Sequence, residues 1–170
     1  MILSVVVLAL VTLQRGGELI LARRNTRKLL ARGAVEVGAA HYPVLVLMHA
    51  AWLLGLWVLG WNRPVDLAWL GVFILLQVAR VWVLASLGER WTTRIIILPG
   101  EPLVRRGPYR FLNHPNYIVV VGEIMALPFA FGLVAYGLLF TLLNAAVLFV
   151  RIRAEHAALT QVSAAPHPSV

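Results

Sequence analysis

The stretch RGPYRFLNHPNYIVV, residues 106–120, sets Tyr109, Asn113, His114, Asn116 and Tyr117 at the head of an apolar run. Further on, the segment RIRAEH at 151–156 places Arg151 and Glu155 four residues apart. Side chains of these types hold polar ligands, move protons and steady oxyanions. Between the two motifs, Glu123 and Asn144 interrupt apolar sequence, as Gln77 and Arg80 do upstream. A polar group inside an apolar span is costly, so each needs a functional or helix-pairing reason. At helical spacing Asn144, Arg151 and Glu155 fall on one stripe, and Asn116 and Glu123 share a face of another helix. Packed together, those faces would line a polar chamber with Asn116, Glu123, Asn144, Arg151 and Glu155, with His114 and Tyr117 at its rim. Plainer alternatives stand beside this: a surface ion pair for Arg151 and Glu155, and a neutral, hydrogen-bonded carboxyl for Glu123.

Pro115 suits the first turn of a helix, where its missing N–H costs nothing. The backbone N–H groups of Asn116, Tyr117 and Ile118 are then expected to be free for a carboxylate or phosphate. Other chemistries lack their residues. There is no cysteine, hence no thiolate zinc site and no cysteine nucleophile. The histidines, at 41, 49, 114, 156 and 167, do not have metal-ligand spacing, so no metal is expected.

The elements that must position these residues are apolar. Charged residues make up 13% of the 170-residue chain, about half the usual share, and mean hydropathy is +0.84. One small core cannot hide that much apolar surface, so lipid is the expected solvent. Five segments approach the roughly 20 residues that a bilayer requires. They are 1–13 (with an amphipathic continuation to 21), 43–61, 67–87, 117–131 and 133–150. The last two are short and read as a tight helical hairpin. Residues 94–105 are β-rich and broken at PGEP, which predicts two short extended pieces folding back on each other. The six tryptophans are expected mostly as interfacial anchors. The fold class is therefore an all-α integral membrane protein, with about five transmembrane helices, a C-terminal hairpin and a short β-like segment before it. The parts are 1–87, with the N-terminal spans and a basic loop; 88–160, with the ligand-binding motifs; and 161–170, a disordered tail.

The net charge of +8 does not point to nucleic acid, because the basic residues sit in short blocks beside apolar spans. The connections between spans one and two and between three and four are arginine-rich, and Arg151 and Arg153 follow span five. The opposite connections hold Arg63 alone. This pattern predicts a cytoplasmic location for all three basic blocks, with the N-terminus outside. The N-terminal apolar run has no basic stretch before it and reads as a retained span. Anionic lipid headgroups are the expected partners of the first basic loop. Alternatively Glu36, His41 and Tyr42 close the site from that loop.

GPYRFLNHPNY, an apolar hairpin and RIRAEHAAL together resemble the isoprenylcysteine carboxyl methyltransferase family over roughly residues 85–160. The segment LARRNTRKLLARGAVEVGAAHYP resembles a bacterial branch of it, often associated with type III polyketide synthases. The resemblance implies a membrane methyltransferase of the bacterial inner membrane that uses S-adenosylmethionine, with the cofactor site facing the cytoplasm. It implies a lipophilic small-molecule or prenylated substrate that enters from the bilayer. Tyr109, His114, Pro115 and Tyr117 match the family's GPY and HPxY positions, and Arg151 and Glu155 match the closing segment. Asn113 stands where the family usually has arginine, and His156 where it has a second glutamate. On this reading Tyr109, His114, Pro115, Asn116, Tyr117 and Glu155 hold the cofactor. Arg151 faces the substrate oxygen, and Glu123 or His114 serves as base if the acceptor is a hydroxyl. Two rivals remain: an NADPH-dependent reductase of the sterol-reductase type, and a non-enzymatic membrane scaffold.

Overall fold

The computed structural model describes residues 1–164, except the side chains of 156 and 158–164. Five helices carry the chain: α1 (Ile2–Ala31), α2 (Tyr42–Gly60), α3 (Leu67–Leu87), α4 (Pro115–Ala130) and α5 (Val134–Ala164). Two short strands, β1 (Val35–Val37) and β2 (Ile95–Ile97), pair antiparallel. Among the described residues, four helices are long and apolar enough to cross a membrane, and α4 is a shorter apolar helix.

Local chemistry fixes the ends. Asp66 caps α3, its Oδ1 accepting from the N–H groups of Ala68 (2.8 Å) and Trp69 (3.1 Å). Pro43 and Pro115 sit in the first turns of α2 and α4. Gly132, at φ +68, lets α4 turn straight into α5. Gly122 and Gly137 lie against Leu76 and Phe129, so small residues let α4 approach its neighbours closely. Leu8 and Val11 of α1, Trp52 and Leu56 of α2, and Ile124 and Leu127 of α4 form the core.

Two contacts define one end of the bundle. Ser4 Oγ donates to the Arg63 carbonyl at 2.6 Å, and the Asp66 N–H donates to the Ala130 carbonyl at 2.8 Å. The chain start, the α2–α3 loop and the α4–α5 turn therefore lie together. The strands, the GPY turn and residues 151–155 lie at the opposite end, with the basic blocks.

Several expectations are corrected. The first helix does not stop near residue 21 but runs 30 residues, about 45 Å, with its polar half held by partners on α3 and α4. The fifth helix is long, reaching Ala164, past the start of the expected tail at 161. Residues 165–170, the rest of that tail, lie outside the described residues. The extended segment after Arg94 does not fold back on itself: Ile95–Ile97 pairs with Val35–Val37 of the first basic loop. Trp52 (2% exposed) and Trp91 (3% exposed) are core residues, not interfacial anchors. The Trp52 indole donates to the Ile124 carbonyl at 3.2 Å.

Candidate functional site

At the basic end, α4 and α5 bring the two sequence motifs into direct contact. The Tyr117 hydroxyl accepts from Arg151 Nε at 2.9 Å and donates to Glu155 Oε2 at 2.9 Å. Arg151 and Glu155 are thus bridged by a phenol between them. His114 stacks on Tyr117, with ring centroids 5.1 Å apart and planes within 7°. Its Nδ1 stands 4.0 Å from Glu155 Oε2. Tyr109 sits half-buried in the GPY turn. Burial, then the neighbouring Tyr117 and Glu155, push its phenol above the ordinary tyrosine range, so it stays protonated.

The turn depends on Gly107, whose φ is +57. A Cβ there would meet Ser86 Oγ at 2.0 Å. Pro115 is buried at the start of α4 and sets the helix entry that stacks His114 on Tyr117. The amides of Tyr117 and Ile118 are not free, because both donate to the His114 carbonyl, at 3.1 and 3.4 Å. That removes two of the three donors expected at this helix mouth.

Asn116 lies beside the cluster with Oδ1 buried and without a partner among the described residues. Asn144 is fully buried, and both of its amide atoms are likewise unpartnered. Glu123 is elsewhere. It is 2% exposed, and its carboxylate turns to α1 and α3 rather than to α5. Oε1 accepts from Arg80 Nε (2.6 Å) and Gln77 Nε2 (2.8 Å). Oε2 accepts from Arg15 (2.8 Å) and from Arg80. Glu18 completes the cluster by accepting from Arg15 at 2.7 Å and Arg80 at 3.3 Å. Two guanidiniums and two carboxylates thus balance inside the helix bundle. The expected chamber therefore loses Glu123, and a carboxylate with four donors on it is a structural counter-ion, not a base beside Arg151.

Sequence reasoning missed how the other half of the chain closes the site. Arg151 Nη1 donates to the Thr93 carbonyl at 2.8 Å. Thr93 Oγ1 and the Tyr42 hydroxyl are 3.0 Å apart. Arg94 lies over the Tyr42 ring at 4.5 Å and pairs with both oxygens of Glu36, at 2.6 and 2.9 Å. Of the residues expected to close the site from the first loop, Tyr42 and Glu36 reach it through this chain. Thr93 acts through a backbone carbonyl, and no side-chain pattern announces that.

Beside the cluster lies a groove of about 600 Å³ between the outer faces of α4 and α5. His114 and Tyr117 line it beside Asn113, and Ile118, Val121, Leu148 and Phe149 form its apolar walls. Ile118 and Phe149 are exposed, as they would be toward lipid.

The chain is 41% identical to an uncharacterized protein, YpbQ, of Bacillus subtilis (strain 168), over 92% of this chain and 96% of that one. It is 26% identical to an uncharacterized protein of Haemophilus influenzae (strain ATCC 51907 / DSM 11121 / KW20 / Rd), over 82% of this chain and 84% of the relative. No solved structure gives a significant match. Residues 69–161, which hold both motifs and the hairpin that joins them, match the model of one family of membrane methyltransferases. The chain belongs to the isoprenylcysteine carboxyl methyltransferase family.

Proposed function

We propose that this protein is an S-adenosylmethionine-dependent O-methyltransferase that modifies a carboxyl or hydroxyl group of a lipophilic compound. The observation that carries this is the Arg151–Tyr117–Glu155 bridge beside an apolar groove between α4 and α5, which Tyr117 also lines. In this reading the basic end faces the cytoplasm of a bacterial inner membrane and the N-terminus lies outside. The acceptor is an alkylpyrone- or polyketide-like compound of the kind expected for the bacterial branch, or an isoprenylcysteine-like one.

The residues present suit the cofactor. The buried Asn116 Oδ1 needs a donor that the described residues do not supply. The stacked faces of His114 and Tyr117 attract a cation, and the Glu155 carboxylate accepts from amines and hydroxyls. When bound, S-adenosylmethionine supplies an electrophilic methyl group on a sulfonium.

The chain's own residues then have three tasks. Arg151, fixed by Tyr117 and the Thr93 carbonyl, holds and orients the acceptor oxygen while that oxygen carries negative charge. Ile118, Val121, Leu148 and Phe149 exclude water and align the acceptor's apolar part. A carboxylate acceptor needs no base. For a hydroxyl acceptor, His114 beside Glu155 is the group placed to take the proton.

Calorimetric titration of the detergent-purified protein tests this, with S-adenosylhomocysteine and separately with NADPH. S-adenosylhomocysteine is expected to bind, and to lose at least tenfold in affinity with Glu155→Ala and with His114→Ala. NADPH binding alone would move the protein to the reductases. Binding of neither would leave a scaffold.

A further inference from the structure

A second groove, of about 530 Å³, lies at the basic end away from the Tyr117 cluster. Arg32 from the end of α1, Arg90, Arg105 and Arg106 line it, together with Glu89 and Leu103. Lys28 pairs with Glu89, and Arg32 and Arg90 share the carboxylate of Glu101. Five cations thus face two carboxylates, an excess of three positive charges.

Two of the arginines have donors to spare. Arg105 is exposed and makes no hydrogen bond or ion pair with a described residue. Arg106 commits only Nε, which donates to the Ser86 carbonyl at 2.7 Å, leaving both terminal nitrogens. Guanidiniums with open N–H pairs match the oxygens of a phosphate group.

Depth identifies the source of that phosphate. The groove begins at Leu87, the last residue of the apolar α3, whose 21 residues span about 31 Å, the thickness of a hydrocarbon core. The groove therefore sits at headgroup level. Leu103, 66% exposed beside the arginines, offers an apolar contact to acyl chains at the same level.

We propose that this groove binds the phosphate headgroup of an anionic phospholipid. Headgroup binding there does not require that the chain transfer methyl groups. It would hold the 101–106 segment, and through it the GPY turn, against the bilayer.

The experiment is thermal unfolding of the full chain in neutral detergent micelles doped with phosphatidylglycerol or, as reference, phosphatidylcholine. Inorganic phosphate and glycerol 3-phosphate are the soluble arms. The variants are Arg105→Gln, Arg105→Lys and, as a charge control outside the groove, Arg23→Gln. Phosphatidylglycerol is expected to raise the unfolding midpoint above that in phosphatidylcholine. Arg105→Gln should weaken the apparent phosphatidylglycerol affinity about fivefold, the worth of one basic residue at an anionic surface. Arg105→Lys, which keeps the charge and loses the planar fork, should fall between wild type and Arg105→Gln, and Arg23→Gln should leave the affinity unchanged. Equal losses in Arg105→Gln and Arg23→Gln would mean diffuse attraction and overturn the site. So would the lack of any phosphatidylglycerol effect. An equal rise with inorganic phosphate would assign the groove to a free anion and overturn the lipid assignment.

Discussion

Replacing Glu123 by glutamine tests whether the intramembrane cluster is held by charge balance. The wild-type cluster sets Arg15 and Arg80 against Glu18 and Glu123. Arg80 and Glu123 are almost entirely buried. Glu123→Gln keeps the shape and removes one negative charge, so two guanidiniums share Glu18 alone. Breaking a buried pair by removing one partner costs about 3–5 kcal/mol. Glu18 stays 2.7 Å from Arg15 and 3.3 Å from Arg80, which argues for the lower end, about 3 kcal/mol. In a protein of this size that is about 6–12 °C in the unfolding midpoint. Adding Arg80→Gln restores neutrality, leaving Arg15 with Glu18. The double variant should recover more than half of the loss. Thermal unfolding in one detergent at fixed salt, read as a double-mutant cycle, measures this. A loss below about 1 kcal/mol in the single variant, or a double variant that is the worse of the two, would show that charge balance does not hold the cluster. S-adenosylhomocysteine binding should survive in the folded single variant, since Glu123 faces away from α5.

Tyr117→Phe removes the phenol that joins Arg151 to Glu155 while keeping the ring that His114 stacks on. It should weaken S-adenosylhomocysteine binding about tenfold, as a lost charge-assisted hydrogen bond would, with a folded protein by circular dichroism. Gly107→Ala forces a left-handed residue and a methyl group into Ser86 Oγ, and should cost about 2–3 kcal/mol in thermal unfolding. The pH dependence of Tyr109 has a definite sign. Its folded value lies above the unfolded value of about 10, so its contribution to stability is complete below pH 10 and declines as pH rises beyond it. Tyr109→Phe should therefore lose less stability than wild type between about pH 9 and 11, measured as the difference in unfolding midpoint.

Much of the fold is legible because single residues mark its borders. The span read at 67–87 coincides with α3, since Asp66 caps one end and Gly88 turns out of the other. The hairpin was visible from Gly132 and two apolar runs. The length of α1 was not, because Gln14, Arg15 and Glu18 read as the end of a span until their partners on α3 and α4 are known. Strand pairing between residues 35–37 and 95–97 is equally non-local: the second segment announces an extended backbone, while the first reads only as part of a basic loop, and neither announces its mate. In the site, helical spacing correctly joined Arg151 and Glu155, and motif proximity joined His114 and Tyr117. Spacing erred on Glu123, because a shared helical face is wide enough to serve different neighbours. The backbone role of Thr93 leaves no trace in residue type.

The Arg15–Glu18 pair also bears on how the protein is made. α1 leaves the ribosome long before Gln77, Arg80 and Glu123 exist, yet it carries two ionisable groups into the lipid. Because Glu18 lies three residues after Arg15 and bonds it at 2.7 Å, the helix enters the bilayer already neutralised within itself. Arg80 on α3 then meets a carboxylate waiting on α1, and Glu123 arrives last to two guanidiniums already in place. Until then Arg15 and Arg80 share Glu18 with one positive charge in excess, and Glu123 restores the balance, so no stage of synthesis leaves a lone carboxylate in the membrane.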